Sequence, residues 1–335
     1  MTRSVRCSIH WRRRFLHSSS RASIIPVTSA VPASDGRISI QSFQQTALIP
    51  EKPLLFRHGA DSPTTLLPAL SKWFSKDGLA GHQLSTSLAD FGDWPFPYEL
   101  VQTSPRKRDA IAAFCDWLSA CSTTTDHMMA GILLSALSDG EERRFLQLHS
   151  PWKLLARALE FNKAQREKGL ETLELYIAQS LLSDLPTPLQ PDLPTPELVL
   201  RAGKGDVYSS SIWLGTEPTY TPLHRDPNPN LFCQLCSRKL VRLLPPSSGD
   251  RIYYEVQVRT RQQGNGRIRT TEMMEGAERE ILYDAIWNSN ELPDELHEAA
   301  LSPGDALFIP KGWWHSVRSV GMDGQLNGSA NWWFR

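Results

Sequence analysis

Short strand-like segments in the C-terminal half constrain the fold of this 335-residue chain more than any other feature. They are apolar or alternating, rich in β-branched and aromatic residues, and separated by glycine and proline. The segments cover residues 208–214, 231–244, 253–260, 306–310 and 330–334. Several short strands joined in this way predict a sandwich or a barrel, and a jelly roll is the commonest closure. We therefore predict a jelly-roll barrel over residues 201–335, with a long insertion at 247–300 that includes a helical piece at 281–287.

Residues 37–200 have a mainly helical pattern. Short strands are expected only in 37–60, and a helix should begin near Asp61 and end near residue 78. A stronger helix begins at Ser104-Pro105, with Ser104 as the N-cap and Pro105 in the first turn. Helical spacing continues, with interruptions, through 128–182 and includes Tyr176. Five prolines between 186 and 196 exclude a long helix there, and we predict an α+β fold in which the helical half covers the barrel.

The first 36 residues differ in composition from the rest of the chain. Six arginines are interleaved with serine and apolar residues, and no acidic residue precedes Asp35. An Arg-rich, Ser-rich, acid-free start is typical of a mitochondrial transit peptide, and a disordered basic tail or a wrongly assigned start codon is the alternative. We expect a mitochondrial location if the leader is a transit peptide, and a cytoplasmic or nuclear one otherwise.

Charge and cysteine content argue against several classes of protein. Lys+Arg and Asp+Glu both number 36, so no net field attracts nucleic acid or an anionic membrane. The five cysteines are odd in number and irregularly spaced, which argues against a disulfide framework. No uninterrupted apolar run approaches the length needed to cross a bilayer. We expect no membrane association and no DNA-binding module.

The segment Thr221-Pro-Leu-His224-Arg-Asp226 contains half of a candidate metal site. In an extended segment residues i and i+2 point to the same side, so His224 and Asp226 can bind one ion. A second histidine, His315, follows the strand-like run at 306–310. Two histidines and one carboxylate form the facial ligand set of non-haem Fe(II) oxygenases. A turn with a salt bridge is the alternative interpretation of the His-x-Asp pair.

Lys239 lies within the strand-like run at 231–244. Strand parity groups it with Leu231, Val241 and Leu243, hence among apolar residues inside the barrel. A buried ammonium is costly unless an anion neutralises it. A small dicarboxylate bound beside the metal would do so, and so would a buried Asp or Glu from the helical half. A one-residue shift in register would instead turn Lys239 outward.

These motifs together resemble the Jumonji-C (JmjC) family of Fe(II)/2-oxoglutarate oxygenases. The resemblance is carried by Thr221-x-x-His224-x-Asp226, Asn230, Lys239, Leu301-Ser-Pro-Gly-Asp305 and Trp313-x-His315. It is greatest to small protein hydroxylases of the cupin-8 type, covers residues 40–335, and is sharpest over 206–246 and 301–335. The fold that it implies is a double-stranded β-helix, the cupin-like form of the jelly roll.

The resemblance also implies roles for individual residues. The iron ligands would be His224, Asp226 and His315. The residues that bind the distal carboxylate of 2-oxoglutarate would be Lys239, Thr221 and Tyr176, the last of which lies on a helix in the family. Three further positions match residues near the cosubstrate or the metal, namely Asn230, Asn331 and Trp213.

The implied activity is that of a dioxygenase that hydroxylates its substrate and converts 2-oxoglutarate to succinate and CO₂. A protein side chain is the first expectation for the substrate, and an RNA base is the second. Two alternatives stay open: an N-methyl-lysine or N-methyl-arginine demethylase with the same iron chemistry, and a non-catalytic cupin-like binding module. The chain ends after Trp332-Trp333-Phe334 without the C-terminal helices through which some relatives dimerise, so we expect a monomer.

Three other features are interpreted as structural or solvent-facing. Cys233-x-x-Cys236 has no second pair at zinc-finger spacing, and residues i and i+3 of a strand point to opposite faces. The arginine run at 259–269 is assigned to a solvated loop face, with contact to RNA or an acidic peptide as the alternative. His297 has no partner at metal-ligand spacing.

Overall fold

The computed structural model describes residues 23–31, 38–59, 61–77, 81–102, 104–139, 145–261, 276–289 and 291–335. The basic leader at 1–36 lies largely outside these residues, and so does the polar part of the insertion at 262–275. Within the described residues, no helix is long and apolar enough to span a bilayer.

Two β-sheets form the centre of the molecule. The smaller sheet contains five strands, in spatial order β1 (Ile25–Pro26), β12 (His297–Leu301), β11 (Lys239–Leu244), β14 (Trp314–Ser319) and β9 (Tyr220–Arg225). The larger sheet contains eight strands, in spatial order β2 (Leu54–Phe56), β13 (Ala306–Ile309), β10 (Asn230–Cys236), β15 (Leu326–Phe334), β8 (Val207–Thr216), β7 (Leu175–Leu181), β5 (Pro95–Val101) and β6 (Phe145–Pro151). A separate hairpin pairs β3 (Phe74–Asp77) with β4 (Gly81–Leu84).

The path of the chain through the two sheets is that of a jelly roll. From β8 to β11 each strand lies in the sheet opposite to its predecessor, and the alternation resumes from β12 to β15. The pairs that join these strands are antiparallel. Side chains from both sheets share one apolar cluster, among them Phe232, Val241, Leu307 and Val317. The predicted jelly roll and the α+β class are therefore confirmed.

The α-helices cover the outside of the sheets. In the described residues they are α1 (Ile40–Phe43), α2 (Ala69–Lys72), α3 (Pro105–Ser119), α4 (Thr124–Asp139), α5 (Lys153–Glu167), α6 (Glu197–Ala202), α7 (Pro246–Thr260) and α8 (Ala277–Tyr283). Short 3₁₀ segments (Thr86–Phe91, Leu182–Asp184 and Thr187–Asp192) and π-helical segments (Gln44–Leu48 and Asp284–Asn288) adjoin them. Helices α7 and α8 belong to the insertion, and they pack on the smaller sheet through a cluster that includes Leu223, Tyr253, Leu282 and Trp314.

Helix α3 begins and packs as its sequence predicts. The Ser104 hydroxyl accepts the backbone N–H of Lys107 at 3.4 Å, and Pro105 occupies the first turn, where its missing N–H costs nothing. The apolar face of the helix is buried, and the ring of its Phe114 lies 5.1 Å from that of Phe161 on α5. Both the N-cap and the hydrophobic spacing therefore predict this helix correctly.

Two assignments of strand and helix are wrong. Residues 253–260 belong to α7 rather than to a strand, since Pro246 occupies the first turn and the buried Tyr253 and Val256 recur at helical spacing. Tyr176 lies on strand β7 rather than on a helix, because β7 pairs with both β5 and β8. In both cases long-range packing overrides local propensity.

The N-terminal half also departs from its predicted pattern. Within the predicted range 37–60, the described residues 38–59 contain α1, the π-helical turn and a single strand, β2, instead of several strands. The helix expected from Asp61 to residue 78 is reduced to the one-turn α2, because Pro68 interrupts it and β3 follows. Strands β5, β6 and β7 extend the larger sheet, so this half supplies strands as well as a helical cover.

Phe308 on β13 tests the packing of the central core. Its side chain is 0% exposed, and its ring lies 4.9 Å from that of Phe43 and 6.3 Å from that of Phe334. Phe308→Ala removes these contacts and leaves a cavity, so we expect the free energy of unfolding to fall by about 3–5 kcal/mol in urea titrations. Tyr254→Ala on α7 is the matched control, since Tyr254 is 70% exposed, and its effect should stay within about 0.5 kcal/mol. Equal losses would contradict this core.

Candidate metal centre

Three buried side chains from two neighbouring strands converge on one point. His224 on β9 lies directly opposite His315 on β14 in the antiparallel register, and their ring centroids are 4.1 Å apart. Asp226 follows the end of β9. One donor atom from each of the three residues lies within 4.8 Å of the others, and all three side chains are buried. The structure thus brings together the three residues predicted to bind a metal, in a group that could hold one ion.

Backbone carbonyls orient both imidazoles. Nδ1 of His224 lies 2.7 Å from the carbonyl oxygen of Pro222, and Nδ1 of His315 lies 3.1 Å from that of Trp313. A carbonyl can only accept, so each Nδ1 carries the proton and each Nε2 keeps a lone pair for a metal. Burial, reinforced by the neighbouring His315, lowers the pKa of His224 to about 3. The imidazole of His224 is therefore neutral at physiological pH, which is the form that binds metals.

Two donors hold the carboxylate of Asp226. Its Oδ2 accepts the indole N–H of Trp333 at 2.7 Å and an amide N–H of Asn230 at 3.1 Å. Asn331 in turn donates to the Asn230 side-chain oxygen at 2.9 Å. This chain of hydrogen bonds orients the carboxylate and leaves its Oδ1 free of these donors.

Lys239 is buried in the same pocket, as predicted. The residue is 1% exposed, and its Nζ donates to the Ser329 hydroxyl at 2.9 Å and to the Tyr176 hydroxyl at 3.4 Å. Burial lowers the pKa of Lys239 to about 7, and the charge of Glu217 opposes this only in part. Among the described ion pairs none includes Lys239, so the structure offers no carboxylate in direct contact with this ammonium.

Two more polar atoms of the pocket lack a partner among the described residues. They are the side-chain oxygen of Asn331 and the indole N–H of Trp213. Thr221, Asn230, Phe232 and Val317 complete the pocket wall with the residues already named. The free volume is about 20 Å³, close to that of one water molecule, so the lining side chains must separate to admit a larger ligand. An acidic ligand that also accepts and donates hydrogen bonds matches this set of atoms.

Sequence reasoning missed two residues of the site, Ser329 and Glu217, and it assigned no role at the metal to a third, Trp333. Ser329 and Trp333 lie on β15 with Asn331, at i, i+2 and i+4, so all three face the pocket. Glu217 is buried below Lys239 and accepts hydrogen bonds from Ser237 at 2.8 Å and Asn327 at 2.7 Å. Strand period would have grouped Ser329 and Trp333 with Asn331, whereas nothing in the sequence signals Glu217.

The motifs interpreted as structural lie away from the donor group. Cys233 and Cys236 are buried on β10, in the apolar core of the larger sheet. His297 packs edge-on against Trp313, with ring centroids 5.4 Å apart. Neither feature belongs to the group of metal-ligand type found among the described residues.

Metal titration tests the centre directly. Trp333→Phe keeps an aromatic ring but removes the N–H that orients Asp226, so we expect the affinity for Fe(II) or Mn(II) to fall by about 10–100-fold under anaerobic conditions. His224→Ala removes a ligand and should abolish binding. His297→Ala is the matched control and should bind as the wild type does. Unchanged metal affinity in His224→Ala would contradict this centre.

Comparison with known proteins identifies the family. A model of the cupin-like domain matches residues 41–335. Lysine-specific demethylase JMJ30 of Arabidopsis thaliana is 29% identical over 182 residues, which are 52% of this chain and 38% of the relative. Lysine-specific demethylase 8 of Danio rerio is 30% identical over 165 residues, which are 48% and 36%. Jumonji C domain-containing protein 5 of Drosophila melanogaster is 26% identical over 163 residues, which are 48% and 37%. The aligned part spans less than two fifths of each of these relatives, and the family match shows that the chain belongs to the cupin-like domain family, with JmjC proteins among its relatives.

Proposed function

We propose that this protein is an Fe(II)- and 2-oxoglutarate-dependent oxygenase that hydroxylates a side chain of a protein substrate. The observation that carries the proposal is the coincidence of two features in one buried pocket. A His-Asp-His donor group lies beside an ammonium, that of Lys239, which no carboxylate of the described residues contacts. Membership of the cupin-like domain family supports the same reaction class.

The donor group fits iron. Two imidazole nitrogens and one carboxylate oxygen are the ligand set used by non-haem Fe(II) oxygenases, and three protein ligands would leave further positions on the ion open. His224 and His315 keep their protons on Nδ1, which the carbonyl oxygens of Pro222 and Trp313 accept. Asp226 is held in one orientation because Trp333 and Asn230 donate to it. A dedicated zinc site would more often use thiolates or a closed tetrahedron of four ligands.

The polar atoms beside the donor group match the chemistry of 2-oxoglutarate. Its distal carboxylate would neutralise Lys239, while the hydroxyls of Ser329, Tyr176 and Thr221 supply further hydrogen bonds. A charge-assisted hydrogen bond in a buried site is stronger than one in water. The free side-chain oxygen of Asn331 and indole N–H of Trp213 are available to the rest of the molecule.

The residues of the chain bind, orient and shield the reactants. When bound, iron and 2-oxoglutarate supply the oxidation: with O₂ they give succinate, CO₂ and one oxygen atom for a substrate C–H bond. Burial of His224, Asp226 and Lys239 excludes bulk water from the reacting centre and strengthens each electrostatic contact. Trp333 and the two backbone carbonyls hold the three metal-ligating side chains in place, so that little reorganisation of these side chains would accompany metal binding.

Hydroxylation and demethylation differ only in which carbon atom of the substrate is hydroxylated. Hydroxylation of an N-methyl group gives a product that loses formaldehyde, whereas hydroxylation of another side-chain carbon gives a stable alcohol. Two of the relatives named above are called lysine-specific demethylases, which favours demethylation as the second candidate. Formaldehyde release from methylated peptides, set against a stable +16 Da product on unmodified ones, distinguishes the two.

Turnover of 2-oxoglutarate tests the reaction class. In air with Fe(II), the wild-type protein should form succinate from 2-oxoglutarate even without substrate, because such centres turn over slowly when uncoupled. His224→Ala should lose this activity, and His149→Ala, at an exposed position of β6, should retain it. Succinate is quantified by mass spectrometry. A wild type that neither binds 2-oxoglutarate anaerobically nor forms succinate overturns the proposal and leaves the non-catalytic binding module.

Lys239 should make the binding of 2-oxoglutarate depend on pH. Its pKa is lowered to about 7 by burial, and a bound carboxylate raises it again because the charged form is then favoured. Binding above pH 7 must therefore take up a proton. Affinity should be constant at lower pH and fall by up to about tenfold per pH unit at higher pH. The measurement is anaerobic titration of the Fe(II)-loaded protein.

Lys239→Ala provides the control for this dependence. The variant should bind 2-oxoglutarate weakly at every pH, without the slope, and should bind Fe(II) as the wild type does. Lys204→Ala, at an exposed position, should match the wild type in all respects. Parallel loss of iron and 2-oxoglutarate binding in Lys239→Ala would mean that Lys239 serves the fold alone.

A further inference from the structure

A second, larger cavity adjoins the metal pocket. Its volume is about 460 Å³, within the range of small-molecule sites, and Tyr176 lines both cavities. We propose that Arg279 on α8 and Arg318 on β14 form an anion-binding subsite in this cavity that takes one carboxylate of the peptide substrate, close in sequence to the reacting residue. This inference rests on the proposed oxygenase function and adds a substrate class to it: protein segments with an acidic residue beside the target.

Aromatic contacts hold the two arginines at the cavity wall. The guanidinium carbon of Arg279 lies 4.5 Å from the ring centroid of Tyr220, whose ring meets that of Tyr283 edge-on at 4.9 Å. Arg318 donates to the Tyr283 hydroxyl at 3.4 Å, and its guanidinium carbon lies 4.3 Å from the Trp287 ring. Stacking on a ring face fixes a guanidinium while leaving its N–H edge available to an acceptor.

Two buried guanidinium nitrogens on this wall lack hydrogen-bond partners among the described residues. They are Nη1 of Arg279 and Nε of Arg318. Arg242, which also stacks on Trp287, shows the contrast: it donates to Glu298 at 2.8 Å and to the carbonyl oxygen of Ile286. Unpaired buried donors are costly, and a carboxylate ligand would satisfy two guanidinium groups at once.

Carboxyl groups on the cavity lining, which already attract Arg279 in part, limit how much negative charge can enter. Glu174 there is already paired with Lys107 at 2.7 Å. Glu99 has a pKa raised to about 7 by burial, so part of its charge is absent at neutral pH. The exposed Glu280 and Asp284 stand on the same cavity lining. These acids repel a polyanion such as RNA but leave room for a single carboxylate next to the arginines.

The subsite is built on the strands that carry the metal ligands. Arg318 lies three residues after His315 on β14, and Tyr220 lies four residues before His224 on β9. Arg318 and Tyr220 are also direct partners in the β9–β14 register. Because the two sites share strands, an anion bound by the arginines would set the position of the neighbouring residue relative to the metal centre.

Matched peptide pools test the proposal. Two fluorescein-labelled pools have the same randomised central residue and differ only in the flanking residues, which are glutamate in one pool and glutamine in the other. Binding to the full-length protein loaded with Mn(II) and 2-oxoglutarate is followed by fluorescence anisotropy. We expect the acidic pool to bind the wild type at least about tenfold more tightly, as for a charge-assisted contact. Arg279→Gln should remove this preference.

Arg251→Gln is the matched control, because Arg251 is an exposed arginine on α7 outside the cavity; it should keep the preference. Equal affinity of the wild type for the two pools, or absence of binding by both, overturns the proposal. So does a preference that survives in Arg279→Gln, or displacement of the acidic pool by an oligouridylate at equal concentration. The wild-type comparison stands even if Arg279→Gln does not fold. Succinate formation is measured separately, so failure of the subsite and failure of the oxygenase function are distinguishable.

Discussion

The pairing of β9 with β14 is the contact on which the candidate site depends. It places His224 opposite His315 with ring centroids 4.1 Å apart, and the carboxylate of Asp226 follows where β9 ends. Backbone hydrogen bonds set this spacing, so the donor atoms are assembled before any ion binds. Two imidazoles and a carboxyl group are costly to bury side by side, and the fold sustains them because each has a hydrogen-bond partner.

The buried ammonium of Lys239, near this strand pair, has no ion-pair partner among the described residues. Lys239 has hydroxyl partners but no contacting carboxylate among the described residues. Glu217, whose charge acts on Lys239, is held by Ser237 and Asn327 instead. A buried lysine with a full ion pair would stabilise the fold and bind nothing. With neutral hydroxyl acceptors only, Lys239 keeps its attraction for an anionic ligand at the expense of folding free energy.

Much of this site can be predicted from the sequence, and the exceptions have physical causes. His224, Asp226 and His315 are recognisable because metal binding depends on residue type and short spacing, and Lys239 because a cation among apolar residues is unusual. The positions of Ser329 and Trp333 in the pocket depend on which face of β15 points inward. The long-range register of β15 with β10 and β8 decides this. The α+β class follows from the change of hydrophobic period between the two halves of the chain. The sequence of α7 predicts a strand because aromatic and β-branched residues such as Tyr253 and Val256 also suit sheets.

The alternation along β15 has a consequence for how such a site evolves. One face of the strand carries Ser329, Asn331 and Trp333, which contact Lys239, Asn230 and Asp226, while the other face carries Ala330 and Trp332 into the core. Alternate residues of this nine-residue strand therefore contribute to stability and to ligand affinity. Substitutions on the core face change the stability of the fold, whereas those on the pocket face change ligand binding. A single inserted or deleted residue exchanges the two faces, so it would destroy both properties in one step, whereas point substitutions can tune either one alone.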